Sequence, residues 1–88
     1  MEVIYSDEAK RDIEYWKKSG NKAIQNRIQE LLGAIELSPF EGIGKPERLR
    51  YNLSGLWSRR INHEHRLIYQ ILEGGTTIKV HSLRGHYQ

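Results

Sequence analysis

The nine residues from Ser38 to Pro46, SPFEGIGKP, carry two prolines and two glycines, and neither a helix nor a strand ladder runs unbroken through such a stretch. The chain therefore divides there. Before the break, apolar residues recur every three or four positions, the period of an amphipathic helix. After it, β-branched and aromatic residues gather into short runs separated by Asn, Ser and Gly. A helical half joined to a strand-rich half can bury both apolar faces only by laying the helices on the sheet.

Val3, Ile4 and Tyr5 form a short strand-like run. Ser6 is then placed to cap a helix, with Asp7 and Glu8 as first-turn acids that suit the positive end of its dipole. Ala9, Ile13 and Trp16 line one face, Lys17 and Lys18 follow near the carboxyl end, and Gly20 supplies a stop. Asn21 caps a second helix, whose face of Ile24, Ile28, Leu31, Leu32 and Ile35 runs to Ser38-Pro39. Strand patterns follow at Leu49 with Tyr51, at Leu56 to Ile61, at Arg66 to Leu72 and at Thr76 to Leu83. The turns between them are Asn52 to Gly55, Asn62 to His65 and Glu73 to Gly75. Such short connections make antiparallel neighbours. The expected architecture is α+β in the order β-α-α-β-β-β, with a further short strand, two N-terminal helices packed on one face of a twisted antiparallel sheet, and the other face open for chemistry.

A chain of 88 residues is read as one domain spanning residues 1–88. It has no cysteine, which excludes a disulfide framework and a thiolate metal site. No apolar run reaches the roughly 20 residues of a membrane span, and Met1 to Ser6 lack the charged and apolar blocks of a secretory signal, so a cytoplasmic protein is expected. The charge is unevenly spread. Up to Gly44 there are six basic and eight acidic residues, a net of −2, whereas from Lys45 onward there are eight basic and three acidic, a net of +5, with all four histidines. A basic second half suits a phosphate-bearing partner.

That half holds a carboxylate at Glu47, a guanidinium at Arg66 and an imidazole at His86, with Arg59, Arg60 and Tyr87 beside them in sequence or pattern. Breaking an RNA phosphodiester without a metal needs a base for the 2′-hydroxyl, a cation for the charge gathering on phosphorus and an acid for the leaving 5′-oxygen. Glu47, Arg66 and His86 fit those tasks in that order. The same residues also fit a plain surface: Glu47 paired with Arg48 or Arg50, the arginines on a solvated strand face, His86 and Tyr87 at a fraying end. His63 and His65 have the spacing of a metal pair without a nearby third ligand beyond His81 or His86, and no metal or cofactor is expected. Trp16 and Trp57 suit either base stacking or the core.

The string SPFEGIGKPERLRYNLSGLWSRRINHEHRLIYQI from Ser38 to Ile71, with RGHY at Arg84 to Tyr87, closely resembles the YoeB (Txe) family of bacterial toxins from type II toxin-antitoxin pairs. The opening strand and both helices also fall where that family has them, so the resemblance spans essentially the whole chain. It implies the RelE-like fold, and a ribosome-dependent endoribonuclease that enters the decoding site and cuts messenger RNA without metal, leaving a 2′,3′-cyclic phosphate. By motif, Glu47 corresponds to the family's general base, Arg66 to its phosphate-stabilising arginine, His86 to its general acid and Tyr87 to the adjoining aromatic. Lys45, Arg59 and Arg60 correspond to positions that hold RNA backbone. Two departures are Gln88 after Tyr87, where the family's chains commonly end in His-Tyr, and Gly85, where a larger residue is common.

The implied partners are a cognate antitoxin of the YefM (Phd) type that folds on binding, the ribosome with its message, and a second copy in a homodimer. Two other readings remain open on the same fold. One is a non-catalytic nucleic-acid or partner-binding module, for which the basic half alone suffices. The other is a gyrase-inhibiting relative, a branch that generally lacks the arrangement of Glu47 and His86.

Overall fold

The computed structural model describes residues 1–72 and 74–85 of the chain. Among them the order is β1 (Glu2–Tyr5), α1 (Asp7–Ser19), α2 (Lys22–Leu37), β2 (Glu47–Arg48), a 3-10 turn (Tyr51–Leu53), β3 (Trp57–Arg60), β4 (Arg66–Ile71) and β5 (Thr77–Ser82). The caps are those the sequence suggests. Ser6 Oγ accepts from the Ala9 N–H at 3.0 Å, Asn21 Oδ1 accepts from Ile24 at 3.1 Å, and Gly20 closes α1 in the left-handed conformation at φ 70°. No helix among the described residues is long and apolar enough to cross a membrane.

The five strands lie in the order β1-β5-β4-β3-β2. Both helices cover one face, where Ala9, Trp16, Ile24, Ile28, Leu31, Leu32 and Ile35 meet Leu67, Tyr69, Ile78, Val80 and Leu83. These are the apolar positions that the helical and alternating periods select.

Two expectations change. The sheet is mixed, not wholly antiparallel, because β1 runs parallel to β5 in the register Val3 to Ile78 and Tyr5 to Val80. The helical pair between β1 and the later strands is long enough to carry the chain back in either sense, so loop length does not settle the direction. The Ser6 hydroxyl reinforces that pairing by donating to the His81 carbonyl at 2.7 Å. Second, Leu49 and Tyr51 are not in a strand. The short strand comes earlier, at Glu47–Arg48, and the chain then coils into the 3-10 turn, closed by Leu53 N–H to Arg50 O at 3.1 Å and Ser54 N–H to Tyr51 O at 3.0 Å.

Gly44 is where the Ser38–Pro46 loop touches the core. Its φ is +84°, and a Cβ there would lie 2.7 Å from Leu31 Cδ2 and 3.1 Å from Arg59 Cβ. Gly33 lies within α2, exposed, with nothing within 4 Å of a Cβ. Opposite outcomes are expected when each is given a methyl group. Gly44→Ala loses about 2 to 4 kcal/mol through strain and overpacking, and Gly33→Ala gains about 0.5 to 1 kcal/mol through helix propensity. Urea unfolding of both variants checks the pair.

Candidate functional site

The candidate residues sit on β2, β3, β4 and the loop before them, and strand parity decides which share a face. Leu67 and Tyr69 point to the helices, so Arg66 and Ile68 point away. In the β3–β4 register Ser58 faces Ile68 and Arg60 faces Arg66, and across β2–β3 Glu47 faces Ser58. Glu47, Arg60 and Arg66 therefore project from the face opposite the helices, over a floor of buried Ser58 and Ile68. Glu47 and Arg66 stand two strands and two residues apart, about 12 Å between Cα atoms from strand spacing and rise, and long side chains can approach one phosphate from either side across that gap.

Arg66 is oriented by the turn that precedes it. Asn62 Oδ1 accepts from the N–H groups of Glu64 and His65 at 2.9 and 2.8 Å, which closes an Asx-type turn. The carbonyls of Asn62 and His65 then accept from Arg66 Nη1 at 2.8 and 3.1 Å. Both bonds fall on one nitrogen, so among the described residues Nε and Nη2 remain open to a phosphate oxygen, the paired geometry that favours arginine over lysine.

Lys45 is exposed and left-handed at φ 53°, directly before Pro46. That conformation costs about 1 kcal/mol or more for a residue with a side chain. It is held from its amino side by the 2.6 Å bond from the Arg60 N–H to the Gly44 carbonyl, which places Lys45 beside Arg60 at the entrance to β2. His86 and Tyr87 lie outside the described residues. The last described positions, Leu83 to Gly85, lead toward the end of β4 that carries Arg66, whose N–H donates to the Gly85 carbonyl at 2.8 Å.

Arg59 has a different role from the one its motif implied. Its side chain is wholly buried, and its guanidinium donates to the carbonyls of Ser38 and Glu41 at 2.7 Å each and of Ile43 at 3.0 Å, while Nε donates to the Tyr69 hydroxyl at 3.2 Å. It ties down the loop and is closed to RNA. The physical reason is parity: Arg59 shares the helix-side face of β3 with Trp57, and Leu67 faces it across the strand pair. Two apolar neighbours at i±2, Trp57 and Ile61, were the available sequence signal. The Tyr69 phenol, pushed above its ordinary pKa by burial against the opposing influence of Arg59, keeps its proton and donates it to Pro39 O at 2.6 Å.

Trp16 is core. Trp57 is half-buried, tilted against Phe40 at 4.7 Å between centroids, with the Arg48 guanidinium 5.6 Å from its ring. Tyr51, expected in a strand, lies instead in the 3-10 turn. It is 91% exposed, left-handed at φ 60°, and lines an open groove with Glu47, Arg48, Arg50 and Ser54.

The family model for the YoeB-like toxin of bacterial type II toxin-antitoxin systems matches residues 5–87. The chain belongs to this family. Toxin YoeB of Escherichia coli K12 is 45% identical over 87 residues, covering 99% of this chain and all of that one. Two solved Staphylococcus aureus structures match in fold: a YoeB–YefM complex (TM-score 0.87, 43% identity) and a YoeB dimer (TM-score 0.88, 42% identity), each covering 99% of this chain and 98% of the other. The two helices on a five-stranded sheet are thus the arrangement of the YoeB toxins, and the RelE-like fold expected from the sequence holds.

The two arginines of the WSRR string are expected to separate in measurement. Arg59→Leu strands three loop carbonyls and loses about 3 kcal/mol or more, whereas Arg60→Ala changes stability by about 0.5 kcal/mol or less; denaturant midpoints decide.

His81, on β5 of this toxin, bonds Gln70 Oε1 through Nε2 at 3.1 Å, and burial, aided by Lys79 and opposed by Glu8, lowers its pKa below the ordinary 6.5. The folded protein thus holds this proton less tightly than the unfolded chain. The stabilisation is complete above pH 6.5 and is lost as pH falls through the lowered folded value. Thermal unfolding from pH 7.5 to 4.5 is expected to show this acid-side decline, and His81→Gln to flatten part of it.

Proposed function

We propose that this YoeB-family toxin is a ribosome-dependent endoribonuclease that cuts messenger RNA by acid-base catalysis. The observation that carries the reading is the convergence of Glu47, Arg60 and Arg66 on one open sheet face, with the terminal segment bonded to the backbone of Arg66. In the proposed reaction Glu47 takes the proton from a 2′-hydroxyl as that oxygen attacks the adjacent phosphorus. Arg66 neutralises the charge that builds on the non-bridging oxygens. The bond from phosphorus to the 5′-oxygen breaks, and His86 gives that oxygen a proton, leaving a 2′,3′-cyclic phosphate and a 5′-hydroxyl.

Tyr87 adjoins the acid in sequence and is assigned to packing it against the substrate. Lys45 and Arg60 hold the RNA backbone, with an affinity that falls as salt rises. Among the described residues nothing on the open face presses a single strand into line between Glu47 and Arg66. A message held in the decoding site supplies that alignment. Likeness to a YoeB–YefM complex and to a YoeB dimer supports a YefM-type antitoxin and a second copy of this chain as partners. The basic face is the part of the surface that an acidic antitoxin segment suits best, and the cytoplasm, where messages are translated, is the proposed site of action.

The test adds the purified protein to a reconstituted translation reaction with and without ribosomes and maps the new message ends. Cuts that appear only with ribosomes and end in cyclic phosphate are the expected result; intact message at full ribosome occupancy overturns the reading. Glu47→Ala and His86→Ala are each expected to lower cleavage by about 10²- to 10⁴-fold while leaving ribosome binding within about twofold, since each moves a proton and neither carries the bulk of the contact.

A further inference from the structure

The residue proposed as the acid, His86, directly follows Gly85 in the chain. A proton donor has to be held to a fraction of an ångström, and misplacement by about 1 Å loses about 10²-fold in rate. The segment just before His86 is tied down unusually fully. The Leu83 N–H donates to Asp12 Oδ2 at 2.9 Å and its carbonyl accepts from Trp16 Nε1 at 2.9 Å. The Gly85 N–H donates to His65 Nδ1 at 2.9 Å and its carbonyl accepts from the Arg66 N–H at 2.8 Å. The backbone N–H and C=O of both residues are therefore engaged, by α1 at Leu83 and by His65 and Arg66 at Gly85. Between them the Arg84 guanidinium lies 3.9 Å over the Tyr15 ring.

The two clamps meet at His65. Its ring stands edge-on to Trp16, with centroids 4.9 Å apart and planes at 80°, so the indole that grips Leu83 also sets the imidazole that grips Gly85. Its backbone is fixed in turn by the Asn62 side chain, the residue whose carbonyl orients Arg66. An amide N–H only donates, so Nδ1 presents its lone pair and the proton of the neutral ring sits on Nε2. Gly85 accepts this docking without strain because its φ of +76° lies in the left-handed region where a side chain is disfavoured.

We propose that His65 is a positioning residue: through Nδ1 it fixes the Gly85 peptide, and with it the start of the segment that presents His86 to the phosphate held by Arg66. The proposal rests on the reading of His86 as the acid. It assigns His65 no contact with RNA.

Asn and Gln separate the bond from the ring. Asn Oδ1 lies near the place of Nδ1 and can accept from Gly85, whereas Gln Oε1 lies nearer the place of Nε2; both lose the ring contact with Trp16. Relative to wild type, His65→Gln and His65→Leu are expected to lower the cleavage rate constant of ribosome-bound message about 10- to 100-fold with KM within about twofold, and His65→Asn to stay within about threefold. The exchange rate of the Gly85 amide, followed by NMR in the intact protein, is expected to rise in the Gln and Leu variants and to hold in the Asn variant.

Equal cleavage by the Asn and Gln variants, at any level, overturns the proposal, because His65 would then act through the ring or not at all. Should wild-type protein leave message uncut, the nuclease reading fails by itself. The amide exchange still decides the clamp in that case, and an unprotected Gly85 amide in wild type overturns it.

Discussion

A single buried guanidinium sets the order of the region that matters most. The Ser38–Pro46 loop has no ladder to satisfy its carbonyls, and three of them turn inward to Arg59, which contributes a full set of donors in one rigid fork. Tyr69 completes the arrangement by accepting from Arg59 and donating to Pro39. Among the described residues no buried side-chain nitrogen or oxygen lacks a partner. A buried charge of this kind is weak evidence for added stability, since desolvation offsets much of the attraction. Its consequence is geometric: with the loop pinned, Gly44 sits against Leu31, its carbonyl takes the Arg60 N–H, and the chain is delivered to β2 with Glu47 opposite Ser58.

The candidate residues and the described segment after β5 come from parts distant in sequence, each held by a different device. Glu47 depends on the Arg59-bound loop, Arg60 on strand parity, Arg66 on the Asn62 turn, and the terminal segment on α1 together with His65. The core serves two of them directly: Trp16 packs in it and also donates to Leu83, while Tyr69 packs in it and also braces the loop. The cleft between α1 and α2, lined by Tyr5, Ile13, Trp16, Ile28 and Leu32, is on the helix side of the sheet, away from Glu47 and Arg66.

Much of the fold was legible because its signals are local. Ser6, Asn21 and Gly20 act through hydrogen bonds and dihedral angles within a few residues of themselves, and the apolar periods of α1 and α2 name their buried faces. The misread segment, Leu49 to Tyr51, has strand-forming residue types, but the hydrogen bonds from Leu53, Ser54 and Leu56 close a turn there that residue type does not foretell. Of the candidate site, Glu47, Arg60 and Arg66 proved to share a face, while Arg59 proved to be its support.

The sequence alone determined the helices and their caps, the break at Ser38–Pro46, the kinds of acid, base and cation available, and, through its long motif, the family. Tertiary structure decided the parallel pairing of β1 with β5, the inward turn of Arg59, and the capture of Gly85 by His65. Each of these joins residues far apart in the chain. Local propensity carries no information about which distant strand or carbonyl a group will meet; burial and the need to satisfy every desolvated polar group choose among the possibilities only once the chain has closed on itself.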